Sequence, residues 1–312
     1  MSGVVQGSHT GPLLFLLFIN DIFETIQHSQ LELFADDSRL RKNISSEEDV
    51  QLLQEDINSF SLWSRTNGMP INVTKSSCIT FSRLKFPIKH NYKIENNTLI
   101  MVDSVRDLGL TLDSNWKFDL HRSKIASKAY QTLGFIRRST YEFKNPATLI
   151  SLFKSLIMPT LNYASTIWKP HYKSDYTPLE GIIHKFLRYL SFYTETPMTF
   201  IDHNYNSISK KFNISTLESN HQMNDLLFAN RIITDNRIPT HLKLLFKQRN
   251  SDYNLRRPRP LEETHTSGDF LFHSPLFRMR REWNSLSLEL ETTIDNNKLK
   301  QHLKKTRLRH YD

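Results

Sequence analysis

The sequence predicts an α+β fold, mixed in its first third and mostly helical afterwards. Three observations carry this. "LELFADDSRL", residues 31–40, sets Leu31, Leu33 and Ala35 in alternation with Glu32 and Phe34, the period of a strand, and reaches a turn at Asp36-Asp37. Val50, Leu53, Ile57 and Phe60 recur at helical spacing behind Ser45-Ser46. From about Trp116 the pattern turns helical, and "HRSKIASKAYQTLGFIRR" places Ile125, Ala129, Leu133 and Ile136 on one face.

Taken in order, "GVVQGSHTGPLLFLLFINDIFETI" reads as a loop feeding a helix, with Ser8 or Thr10 as cap and Pro12 in the first turn. Leu13 to Ile19 leave almost no polar face, so this helix is expected to be buried on nearly all sides. A hairpin around Asp36-Asp37 follows. The next helix opens with Glu47, Glu48 and Asp49 at the positive end of its dipole, and Asn67-Gly68 stops it. Short strands are expected around Ile71, at Ile79 to Phe81, at Leu99 to Val102 and at Leu108 to Leu112. Asn145-Pro146 opens a later helix that Pro159 is expected to end. A loop from Pro170 to Pro178 precedes helices near Leu179 to Leu190 and Leu217 to Ile233, and "KLKQHLKKTRLRH" reads as a basic terminal helix.

The 312 residues have room for two or three domains. A net charge of +9 points to a polyanionic partner, foremost nucleic acid. The single cysteine, Cys78, excludes an intrachain disulfide framework and favours a reducing, intracellular setting, nucleus or cytoplasm; no disulfide-linked partner is expected. "PLLFLLFI" is too short to span a bilayer, so no membrane partner is expected.

Asp36-Asp37 admits two readings from the residues alone. One is an exposed turn, for which aspartate is a common choice. The other is a divalent-metal site, since paired hard oxygens suit magnesium, which binds through one or two carboxylates plus substrate phosphates.

The order of motifs resembles the reverse transcriptase of a non-LTR (LINE-type, jockey-like) retrotransposon. "GVVQGSHTGPLLFLLFIND" resembles motif B, "FADD" the metal-binding motif C, "MPINVTKSSCITFSR" motif D and "VRDLGLTLD" the primer-grip region. The likeness continues through "HRSKIASKAYQTLGFIRR", "LFKSLIMPTLNYASTIWKP" and "FRMRREWNSLS".

The resemblance implies an RNA-directed DNA polymerase, a nucleotidyltransferase using two magnesium ions, an RNA template, a DNA primer and deoxynucleotides. It implies a partial palm over residues 1–113, a helical thumb over 114–178 and a helical C-terminal region over 179–312. Asp36 becomes the direct metal ligand with Asp37 in support, and Lys75 the donor that protonates departing pyrophosphate. Gly3 and Gly7 permit close backbone approach to the nascent pair, while Gln6 and Ser8 touch template strand or incoming nucleotide. Arg122, Lys124 and Lys128, with Arg137 and Arg138, track the duplex backbone. The residues read on their own leave those charges equally compatible with a solvated helix face. Lys304, Lys305, Arg307, Arg309 and His310 form a second basic cluster.

The family's third carboxylate lies in a motif A ahead of motif B, and only Met1 and Ser2 precede "GVVQGS" here. The expectation is therefore a chain that is inactive alone and holds magnesium weakly or at one site, with an apolar patch left open near Phe15 to Phe18. Asp103, after "LIMV", is the place to look for a substitute carboxylate. The alternatives are a non-catalytic basic nucleic-acid-binding protein and a functionless mobile-element remnant.

Overall fold

The computed structural model describes residues 7–142, 145–193, 205–247, 261–262, 268–286 and 296–309, with backbone alone at 206, 302 and 304–309. Helices and short strands combine in an α+β arrangement, divided into two compact units, Met1–Lys117 and Phe118–Asp312.

In the first unit, α1 (Gly11–Ile19) has Pro12 in its first turn, and Ser8 Oγ accepts from the Gly11 N–H at 3.1 Å. A 3-10 turn, Asn20–Thr25, leads to β1 (Gln30–Phe34) and β2 (Asp37–Arg41), an antiparallel hairpin. Helix α2 (Glu47–Thr66) is the spine of the unit. Ser46 and Asp49 cap each other's backbone N–H groups at its start, and Gly68, at φ 69°, turns the chain away at its end. One stretch of α2 buries Val50, Leu53 and Ile57 with Tyr92 and Ile94; further along, Trp63 packs with Ile19 and Ile22. Full burial of such side chains stabilises by about 1.5–3 kcal/mol each.

Asp56, fully buried on α2, fixes the approach to the hairpin. It accepts from the Gln27 and His28 N–H groups, both at 2.9 Å, and from Ser29 Oγ at 2.7 Å. Burial pushes its carboxyl up, but the Ser29, Gln27 and His28 hydrogen bonds outweigh that and leave it below the usual carboxylate range.

The remaining strands are short: β3 (Ser77–Cys78), β4 (Lys93–Ile94), β5 (Asn97–Thr98), β6 (Ile100–Met101), β7 (Ser104–Asp107) and β8 (Leu110–Asp113). β3 runs parallel to β6, while β4 with β5 and β7 with β8 are antiparallel. Three sequence expectations shift here. No strand forms at Ile71, because Asn72 caps a 3-10 turn, Val73–Lys75, immediately after it. The strand expected at Ile79 to Phe81 lies two residues earlier. The stretch Leu108 to Leu112 is split by a turn, since Leu108 and Gly109 both take positive φ (43° and 85°).

The largest correction is α1. Only Ile19 of this helix is buried, and Leu13, Leu14, Leu16, Leu17 and Phe18 are exposed. A helix apolar all round needs cover on all sides, and α1 meets the unit along one side only, where Phe15 packs beside Ile19 and Trp63. The open patch expected near Phe15 to Phe18 is present.

The second unit is helical. It comprises α3 (Asp119–Ser139), α4 (Pro146–Leu152), α5 (Met158–Asn162), α6 (Ser165–Trp168), α7 (Lys173–Ser191), α8 (Tyr205–Phe212), α9 (Leu217–Thr234), α10 (Thr240–Leu244), α11 (Asp269–His273), α12 (Pro275–Asn284) and α13 (Asn296–Arg309). Ala129, Leu133 and Ile136 of α3 are buried, as the spacing predicts. Phe153 and Phe186 stack at 4.0 Å among Leu149, Ile157, Leu161 and Ile182, all fully buried. A second core joins α9, α12 and α13 through Leu226, Met279, Trp283 and Leu299.

Pro159 does not end its helix. A π-turn, Phe153–Ile157, precedes it, and helix resumes to Asn162. Proline lacks the N–H that would bond four residues back, and a widened turn accommodates that. Pro178 likewise sits inside α7, which begins at Lys173 rather than after a loop and runs across residue 178.

Charge is buried in this unit. Asp225 is fully enclosed and accepts from Lys169 Nζ at 3.0 Å and Arg278 Nε at 2.9 Å. Lys169 Nζ also reaches Glu282 Oε1 at 2.7 Å, and Arg278 donates to the Thr166 carbonyl at 2.8 Å. Beside this network, buried His221 bonds the Leu161 carbonyl through Nε2 at 2.9 Å and sits edge-on to Trp168. Among the described residues, no helix is long and apolar enough to cross a membrane.

Candidate metal-binding turn and nucleic-acid face

β1 and β2 are joined by a two-residue turn, Ala35-Asp36, with Phe34 opposite Asp37. Ala35 takes φ 51°, a left-handed conformation that costs an L-residue about 1–2 kcal/mol and suits a small side chain. Asp36 therefore stands in the turn itself and Asp37 opens the returning strand. Both are exposed, and among the described residues neither carboxylate is engaged in a hydrogen bond or an ion pair.

Behind the turn lies a guanidinium clamp. Arg39 reaches Asp107 Oδ1 at 2.8 Å and Glu32 Oε2 at 3.5 Å, and Arg41 reaches Glu32 Oε1 at 2.8 Å. Asp107 is the last residue of β7, beside the Leu108-Gly109 turn, so the clamp draws the β7–β8 hairpin tip to the β1–β2 hairpin. Burial pushes the Asp107 carboxyl up; Arg39 opposes this, and the nearby charges of Asp37 and Glu32 add to it. Neither Arg39 nor Asp107 stands out in the motif reading. The turn expected at Asp36-Asp37 would set Glu32 opposite Arg41; the turn lies one residue earlier, at Ala35-Asp36, and sets Glu32 opposite Arg39.

The other sequence candidates are scattered. Asp103 sits at the opposite end of β7 from Asp107, about 13 Å away at strand rise, beside Thr80, Ser82 and Ser114. It does not join the turn. Lys75 is exposed at the end of its 3-10 turn, and among the described residues no hydrogen bond or ion pair links its side chain to Asp36 or Asp37. Gly7 takes φ 84°, which favours glycine, and Ser8 spends its hydroxyl oxygen on the Gly11 N–H. Gly3 and Gln6 lie outside the described residues.

On α3 the basic residues part company. Arg122, two helical turns before Ala129, lies on the covered face and is mostly buried against Asp119 and Asp175. It is a structural ion-pair residue, where the sequence set it with Lys124 and Lys128 on an open face. Lys124, Lys128 and Arg138 are exposed on the opposite side, while Arg137 lies over the Tyr189 ring. Trp168 is buried and donates to the Tyr163 carbonyl at 2.8 Å, while Tyr163 is exposed. The side chains of Lys304, Lys305, Arg307 and Arg309, and all of His310, lie outside the described residues.

An acidic hairpin turn beside a second hairpin thus sits in a small α+β unit, with helices following it in the chain. The family model for reverse transcriptase (RNA-dependent DNA polymerase) matches residues 1–136. The chain is similar to the probable RNA-directed DNA polymerase from transposon X-element of Drosophila melanogaster, at 29% identity over 205 residues, 61% of this chain and 22% of that protein. It is also similar to the probable RNA-directed DNA polymerase from transposon BS (24% over 202 residues, 60% and 22%) and the RNA-directed DNA polymerase from mobile element jockey (25% over 203 residues, 61% and 22%), both of Drosophila melanogaster. The likeness to a reverse transcriptase thus covers the first 136 residues by family, and about 60% of the chain by similarity to polymerases of non-LTR retrotransposons. It spans 22% of the length of these curated relatives. No solved structure matches it.

Metal-dependent catalysis comes with this family. The donor set fits one hard divalent cation, since Asp36 and Asp37 offer two adjacent exposed carboxylates, unengaged among the described residues. It does not by itself make a two-ion clamp. Among the described residues, the only three potential ligands with donor atoms within 4.8 Å of one another are His171, Asp269 and His273, in the other unit.

Proposed function

We propose that this chain supplies the metal-holding turn and a duplex-gripping surface of an RNA-directed DNA polymerase that copies retrotransposon RNA onto a DNA primer. The observation that carries the reading is the exposed, unengaged Asp36-Asp37 turn, clamped by Arg39 inside the segment that matches the family. In this reading residues 1–113 are palm, 114–178 thumb and 179–312 a C-terminal region; the setting is intracellular.

Asp36 is the direct ligand and Asp37 holds the field. These two carboxylates would hold magnesium, which when bound would supply a lowered pKa at the primer hydroxyl and charge compensation for the attacking and leaving oxygens. Lys75 donates a proton to departing pyrophosphate, and Gly3, Gln6, Gly7 and Ser8 border the incoming deoxynucleotide and template. Lys124 and Lys128 meet duplex phosphates without reading sequence.

Primer extension tests this. The 312 residues alone are expected to give none with magnesium or manganese. Adding the polymerase segment that precedes the corresponding hairpin in the jockey relative, fused or in trans, should restore extension. Asp36→Asn should then remove it by several powers of ten, the scale of losing a group that stabilises transition-state charge. Extension that survives Asp36→Asn would remove this turn from the chemistry.

A further inference from the structure

We propose that His171, Asp269 and His273 form a zinc-binding site in the second unit, separate from the acidic turn and independent of the polymerase reading. His171 precedes α7, while Asp269 and His273 lie one turn apart on α11, so chain segments far apart in sequence converge here. One donor atom from each residue lies within 4.8 Å of the other two. His273 Nε2 and Asp269 Oδ1 are 3.2 Å apart. Two donors on a tetrahedral zinc ion with bonds of about 2.0–2.2 Å are separated by about 3.3–3.5 Å, so this pair already has the spacing of one edge of such a site.

The third donor is close at hand. The His171 and His273 rings stack at 4.4 Å and within 17° of parallel, and His171 is exposed, so a modest side-chain rotation brings its nitrogen into the same sphere. The carboxylate is already oriented from outside, because Tyr172 Oη donates to Asp269 Oδ2 at 2.9 Å. Such an outer hydrogen bond typically changes metal affinity ten- to a hundredfold. Two imidazoles and one carboxylate are a borderline donor set that suits zinc better than magnesium, which takes oxygen. Three protein donors leave a fourth position for water. The bound ion would pin α11 to the start of α7.

Equilibrium dialysis of the untagged full chain against zinc, with metal quantified after washing, tests the site, and cobalt substitution reports its geometry. One equivalent of zinc and the visible absorption of tetrahedral cobalt are expected. His171→Ala and His273→Ala should each abolish both, with helical circular dichroism unchanged, because His171 is exposed and α11 is short. Tyr172→Phe should keep one equivalent while weakening binding about ten- to a hundredfold. His241→Ala, an exposed histidine elsewhere in the unit, should change nothing. No retained zinc, or retention that persists in the His171→Ala, His273→Ala double variant, would overturn the proposal.

Discussion

Leu17 in the first unit is 68% exposed and Asp225 in the second is fully buried, the reverse of what each side chain favours. The reasons differ. Asp225 is buried because Lys169 and Arg278 surround it with donors, so its unit has met the cost of enclosing a charge internally. Leu17 is exposed because, among the described residues, nothing covers that side of α1. The second unit encloses the Asp225 charge with donors of its own. The first presents an apolar helix and an acidic turn to the outside.

The comparison breaks most readily at Asp225. Asp225→Ala leaves Lys169 and Arg278 buried without their shared partner, and breaking such a group costs about 3–5 kcal/mol. Urea denaturation followed by Trp168 and Trp283 fluorescence should show that loss, while the first unit, followed through Trp63, keeps its midpoint. A smaller loss would mean water reaches the network.

Acid separates the units by pH. Burial, with Lys169 and Arg278 nearby, holds His221 down to about 4, with its Leu161 hydrogen bond opposing. Unfolded, that histidine takes a proton near pH 6.5, so the second unit is fully stable above that value and weakens as pH falls towards 4, by roughly 3 kcal/mol. His221→Gln should flatten this stretch of the stability curve. Asp56 in the first unit is held below the usual carboxylate range. Its contribution is present above about pH 4 and is lost as pH falls through the folded-state value. Asp56→Ala should cost the first unit about 2–3 kcal/mol at neutral pH, since it strands the Gln27 and His28 N–H groups. If both units weaken over the same pH range, these assignments fail.

Two smaller effects sharpen the contrast. Hydrophobic dye should bind the full chain, and Leu16→Glu with Leu17→Glu should reduce that binding at little cost in stability, because both side chains already face solvent. On α3, Lys124→Ala with Lys128→Ala should flatten the salt dependence of RNA–DNA duplex binding by about two phosphate contacts, equally for scrambled sequences. An unchanged slope would return these lysines to a solvated face.

The sequence made some of this legible and hid the rest for physical reasons. The α2 stripe, the Ser46 cap and the presence of a hairpin are local, so period and capping chemistry reveal them, though the turn falls at Ala35-Asp36, one residue before the expected Asp36-Asp37. Arg122 was misplaced because the spacing of charges does not show that Asp175, far along the chain, closes on the covered side of α3. α1 was misread because apolar composition reports what a helix needs, and not whether the partner is present. Pro159 reads as a helix end, and Pro178 as the close of a loop, because local rules carry no knowledge of the packing that holds a helix through a missing hydrogen bond. The Lys169–Asp225–Glu282–Arg278 network and the His171 cluster join remote segments, and no local pattern announces either.

Hydrogen exchange under native conditions measures the contrast between the units most directly. Amides of α1, Gly11–Ile19, should exchange through low-energy local opening, while those of α7 around Ile182 to Leu190 exchange only when the second unit unfolds. Adding the preceding polymerase segment of the jockey relative should slow exchange in α1 and leave α7 unchanged. Amides of α1 as protected as those of α7 in the chain alone would contradict the account.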